Sequence, residues 1–108
     1  MRSGTTPKIE ITLDIPLTTI KEIWVTFATV IGTELLTKKK ADCVIGTDKI
    51  TVPLTQDETL QLNPSSATDN KVLIQVRVLT NDNQAFASAI DEIRVERILK
   101  EGVISSDD

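Results

Sequence analysis

Apolar and polar residues alternate without a break over residues 8–15: Ile9, Ile11, Leu13 and Ile15 are interleaved with Lys8, Glu10, Thr12 and Asp14. A period of two puts one set on each face of a pleated chain, so this stretch predicts a strand with one buried face. Pro16 ends it, and residues 17–22 read as a turn-like connection with room for one helical turn. Residues 23–30 predict the next strand, with Ile23, Val25 and Phe27 facing one way and Trp24, Thr26 and Ala28 the other. Gly32 marks a turn, and residues 34–39 pair back as a hairpin whose far end carries Lys38, Lys39 and Lys40. Residues 42–45 predict a short strand, 46–48 a turn, and 49–54 a strand with Ile50, Val52 and Leu54 inward. Pro53 falls on its outward side, which predicts a sheet edge, because proline cannot donate to a ladder.

Thr55-Gln56-Asp57-Glu58 has the spacing of a capping box, so a helical turn is expected over residues 56–60. Residues 63–70 are expected to form a polar loop. Residues 71–80 carry the strongest alternation, Val72, Ile74, Val76 and Val78 against Leu73, Gln75, Arg77 and Leu79. Both faces are partly apolar, which predicts a central strand. Residues 81–84 are a hairpin loop rich in Asn and Asp, which tolerate left-handed backbone. A long last strand over 85–99 is expected to bend near Asp91 and Glu92. Short strands at this spacing predict an all-β fold, an immunoglobulin-like β-sandwich of about seven strands with one helical turn near residues 56–60. Residues 1–108 are expected to form a single domain, with 1–6 and 105–108 as flexible or docking tails.

Composition strengthens this reading. Ile, Val and Thr supply 37 of 108 residues, and β-branched side chains fit pleated surfaces better than helices. A chain of this length buries roughly 65% of its unfolded surface and folds as one unit. It has no His, one Cys and a net charge of -4. Lack of His removes His-dependent dyads and triads, and one Cys without His cannot build a zinc cluster. No disulfide can form within the chain. Acidic balance and 3% aromatics argue against nucleic acid as a partner. No apolar run reaches the length of a membrane span, and the polar leader has no signal-peptide core.

The remaining chemistry is sparse, and each candidate carries a plainer alternative. Asp57 with Glu58, or Asp91 with Glu92, are the carboxylate pairs; adjacent strand residues face opposite ways, and the first pair suits the capping box. Lys38 to Lys40 read as a solvated hairpin end guarding a sheet edge rather than an anion site. Cys43 reads as a small packed hydrophobe rather than a reactive thiol. Trp24 is either an exposed interaction residue or a cover for the end of the sandwich, under the 17–22 connection. Ile98, Leu99, Val103 and Ile104 extend beyond the last hairpin; they fold back on the sandwich or dock on a neighbour. Trp24 and these four residues are the candidate interaction residues. No catalytic, cofactor-binding or metal-binding residue is expected.

Taken in order, the leader Arg2-Ser3-Gly4-Thr5-Thr6-Pro7, the stretch 54–60, the strand Ile74-Gln75-Val76-Arg77 and the ending 95–104 resemble small prophage-encoded proteins of Gram-positive bacteria. The chain is also similar to the N-terminal β-sandwich of phage baseplate upper proteins. It departs from a common hairpin pattern at Asp82-Asn83, where no Gly stands. The resemblance implies a non-enzymatic tail or baseplate-associated structural protein. Its partners would be other tail or baseplate proteins, or further copies of itself, with no nucleic acid, membrane or small-molecule substrate. The location so implied is the bacterial cytoplasm on synthesis and then the virion. A host-surface carbohydrate- or protein-binding module is the alternative.

Overall fold

In the computed structural model, which describes residues 1–2, 4–62, 71–96 and 102–105, the chain folds as an all-β sandwich of two antiparallel sheets. The strands are β1 (Lys8–Ile11), β2 (Ile20–Ala28), β3 (Glu34–Lys39), β4 (Val44–Ile45), β5 (Ile50–Pro53), β6 (Lys71–Thr80), β7 (Ala85–Ala87) and β8 (Asp91–Arg94). A short α-helix, α1 (Gln56–Gln61), lies between β5 and β6, and 3-10 turns span Leu17–Thr19 and Lys40–Asp42. The smaller sheet runs β1-β5-β4. The larger runs β3-β2-β6, with β7 and β8 both paired along the far side of β6.

Period-two alternation decides which residues enter the core. Ile23, Val25 and Phe27 of β2 meet Val72, Ile74, Val76 and Val78 of β6 on the inner face, and Ile50, Val52 and Leu54 approach from the other sheet. Phe27, Ile50, Val52, Val25 and Val95 are fully buried. Such residues stabilise by about 1.5–3 kcal/mol each through apolar burial.

The first strand is shorter than its alternation predicts. Pairing stops at Ile11, opposite Ile50, although burial still alternates to Ile15. Beyond Ile50 the partner chain turns away, with the Gly46 N–H donating to the Lys49 carbonyl at 2.9 Å. A side chain at Gly46 would bring its Cβ to 2.9 Å from that carbonyl oxygen, which requires glycine there. Pro53 is likewise not on an edge strand: β5 is central in its sheet. The Leu54 N–H donates toward β1, to the Pro7 carbonyl, so the strand's alternation turns the Pro53 nitrogen toward β4. There β4 has already ended, since it pairs only with Ile50 and Thr51. The missing donor therefore costs no ladder bond.

The hairpins follow the turn chemistry. Thr29 and Thr33 close the β2–β3 turn, with Gly32 at φ +95. At the β6–β7 turn Asn83 takes φ 63, the left-handed position that a Gly would otherwise fill. The capping box is present as expected, the Thr55 hydroxyl accepting from the Glu58 N–H and Glu58 accepting from the Thr55 N–H.

The last strand breaks earlier than Asp91. Between β7 and β8, Ser88 stands in for the ladder: its N–H donates to the Val76 carbonyl and its hydroxyl accepts from the Val76 N–H. The start of the chain is not a free tail. The Glu96 N–H donates to the Met1 carbonyl, Arg2 pairs with Glu96 at 2.8 Å, and Met1 packs on the core.

Candidate interaction surface

Register places the exposed aromatic side chain of β2 beside a cation. Trp24 pairs with Arg77 of β6, and Arg77 pairs with Ala87 of β7. One step along, Glu22, Leu79 and Ala85 form a second row on the same outer face. Directly opposed residues in antiparallel strands point to the same side. Trp24 is 42% exposed, and the Arg77 guanidinium carbon lies 5.4 Å from the centre of its ring, within cation–π range. Ala85 carries only a methyl group, and the surface dips beside this pair. The resulting hollow, ≈ 220 Å³ in volume, is lined by Glu22, Trp24, Arg77, Leu79 and Ala85 together with atoms of the inward-facing Val78 and Phe86. That is below the usual size of a small-molecule pocket.

Glu22 brings little free chemistry to this hollow. Its carboxylate accepts N–H bonds from Ile23 at 2.9 Å and Lys40 at 3.0 Å, which hold its pKa below the ordinary value. Charge on Glu22 is thus committed to fixing the start of β2 against the turn at residues 40–42.

On the other face of β7 stands Phe86, opposite the buried Val78 but itself 47% exposed. Ile15, Pro16, Thr19, Thr80 and Gln84 line a second hollow with it. Sequence reading singled out Trp24 but neither Arg77 nor Phe86. Arg77 is outward by simple alternation; its pairing with Trp24 depends on register between strands far apart in the chain.

The tail candidates divide. Ile98 and Leu99 lie outside the described residues. Val103 and Ile104 are exposed, at 54% and 76%. Backbone atoms of Ile104 are gripped by the Gln56 side-chain amide, whose Oε1 accepts from the Ile104 N–H at 2.7 Å and whose Nε2 donates to its carbonyl at 3.2 Å. So this segment is held against α1, while Trp24 belongs to the sheet.

Lys38 is not a solvated lysine. It is 7% exposed and its Nζ donates to both oxygens of Glu58 at 2.8 Å, tying β3 to α1. Lys40 Nζ donates to the Ile20 carbonyl. Lys38 is thus drawn into structure by α1, and Lys40, just past β3, by the start of β2. Burial would raise the Glu58 pKa, yet the hydrogen bonds from Lys38 and the Thr55 N–H, with the charge of Lys38, hold it below the ordinary value.

Asp57 accepts from Gln61, and Glu92 lies 3.9 Å from Lys71. Cys43 packs partly against the core, and burial, then Asp42, push its thiol pKa up, so it is protonated at neutral pH. Among the described residues no group of three or more His, Cys, Asp or Glu side chains is placed to hold a metal ion. Nor is any helix among them long and apolar enough to cross a membrane.

A crystal structure of CopC from Methylosinus trichosporium OB3b is similar to this chain, with a TM-score of 0.51 and 10% sequence identity, covering 94% of this chain and 87% of that one. At that identity the likeness concerns the fold: both are β-sandwiches. No protein-family model and no curated protein sequence matches the chain.

Proposed function

We propose that this chain is a non-enzymatic assembly module of a phage or prophage tail or baseplate, acting through protein–protein contacts. The observation that carries the reading is the Trp24–Arg77 pair on the outer face of the larger sheet. Trp and Arg are the residue types enriched where protein interfaces concentrate their binding energy. Here they sit together on the larger sheet, beside a hollow of ≈ 220 Å³. Among the described residues, Glu22 and Glu58 are held by N–H donors, and Glu10, Glu58, Glu92 and Glu96 stand in ion pairs. The phage context rests on the resemblance of the leader, the 54–60 stretch and the ending to prophage proteins.

A carbohydrate-binding module would use the same tryptophan as a stacking platform. The ring face under Arg77 is closed to a sugar, which favours a protein partner. The test is binding to purified tail and baseplate proteins encoded beside this chain, measured by calorimetry. Trp24→Ala and Arg77→Ala are each expected to weaken the complex by about 2 kcal/mol, roughly thirtyfold in Kd. Binding to none of these proteins, together with glycan-array signals that vanish in Trp24→Ala, would overturn the reading in favour of the carbohydrate module.

A further inference from the structure

Five of the described strands stand at sheet edges, and four of them are guarded, β8 by Asp91, Glu92 and Arg94. β1 carries Lys8 and Glu10, and Glu10 pairs with Lys49. β4 is two residues long. β3 carries Glu34 and Lys39 and has α1 packed beside it through Lys38 and Glu58. Charges, short length and covering are the usual means by which sheet edges avoid pairing with other chains. β7 is also short, at three residues, but it carries no charge, and none of the described residues covers it. Residues 83–90, Asn-Gln-Ala-Phe-Ala-Ser-Ala-Ile, hold no charge and no proline, and Ala85, Phe86, Ala87, Ala89 and Ile90 are all exposed.

The backbone of this edge is set for a further strand. Gln84 accepts from the Thr80 N–H and the Ser88 N–H donates to Val76, so the even-numbered residues face β6. By alternation, Ala85 and Ala87 turn their N–H and C=O groups away from the sheet. Among the described residues no strand pairs with that side.

We propose that β7 is a dimerisation edge: two copies of this chain pair their β7 strands antiparallel about a twofold axis through Phe86. In this register Ala85 of each copy exchanges both backbone bonds with Ala87 of the other. Four hydrogen bonds form, and the two larger sheets become one. Phe86 meets its own copy as a non-hydrogen-bonded pair, with Cβ atoms about 4.5–5.5 Å apart. Both rings then lie on the core side, where one copy alone leaves each half uncovered. The charges agree with a second copy as occupant. Asp82 falls opposite Ile90 and Asp91 opposite Asn81, so no acid faces an acid directly across the axis. Methyl groups at Ala85 and Ala87 keep the outer face clear for close approach.

Such pairing gives the assembly role a partner of known chemistry, yet the two ideas fail separately. Trp24→Ala leaves the edge intact, and an edge variant leaves the Trp24 face intact. The test is sedimentation equilibrium of the full chain from micromolar to millimolar concentration. A dimer is expected. Ala87→Pro removes an N–H that faces solvent in the monomer, and Ala87→Lys adds an exposed charge; each should weaken dimerisation at least tenfold. Their unfolding midpoints at high dilution should match the parent chain. Phe86→Cys in a Cys43→Ser background should oxidise to a covalent dimer, which reports the register. A chain that stays monomeric at millimolar concentration would overturn the proposal. So would a dimer that both Ala87 variants leave unchanged.

Discussion

Lys38 and Glu58 show how a charge becomes structural. A lysine buried to 7% exposure is stable only because the carboxylate of Glu58 meets it with both oxygens. Taking one partner away strands the other. Lys38→Met keeps the stem and most of the volume, so the loss isolates the charge; we expect about 2 kcal/mol less stability at pH 7 by urea unfolding. Replacing both partners, Lys38→Met with Glu58→Gln, should recover most of that loss. The sign of the pH dependence follows from the depressed Glu58 pKa. Its contribution is fully present above the ordinary carboxylate value of about 4.5 and fades as pH falls through the lower, folded value. The gap between parent and Lys38→Met should therefore be wide at pH 7 and narrow toward pH 3. None of this is visible in the run Lys38-Lys39-Lys40, which reads as three solvated charges until α1 is folded beside it.

At the scale of elements, legibility depends on how local the cause is. The capping box at Thr55 and Glu58 was readable because both bonds close within three residues. The inward sets of β2, β5 and β6 were readable because alternation needs only one strand. Pro53 misled for the opposite reason: whether its missing donor matters depends on where β4 stops, which no local pattern records. The strand break at Ser88 was equally hidden, since it arises from a hydroxyl that takes up a main-chain position in the ladder. Ser88→Ala should leave the Val76 N–H without its acceptor and cost about 1–3 kcal/mol. Amide exchange gives the check: Val76 should lose protection first, while Ile23 and Val25 keep theirs. Uniform loss across the sheet would mean that Ser88 does not hold the junction. The pairing of Trp24 with Arg77 belongs here too, because alternation shows that both point outward but only register makes them neighbours.

For the molecule as a whole, the two-sheet sandwich follows from the abundance of β-branched residues and their spacing, whereas the unequal widths of the sheets do not. That inequality leaves Phe86 half-covered at the rim and Trp24 open on the outer face. The ladder between β2 and β6 also governs time. Ala28 must find Leu73, and Ile20 must find Thr80, so the chain has to close loops of roughly 45 to 60 residues before its main sheet exists. The β2–β3 hairpin closes at once by comparison, but it cannot hold a core alone. Refolding followed by circular dichroism should accordingly take milliseconds to seconds rather than microseconds. During that interval the uncharged segment from Asn83 to Ile90 is already synthesised and has no settled β6 to lie against. A crowded ribosome-rich compartment would then favour wrong pairings between nascent chains, and the same segment that joins finished copies would set the yield of soluble protein.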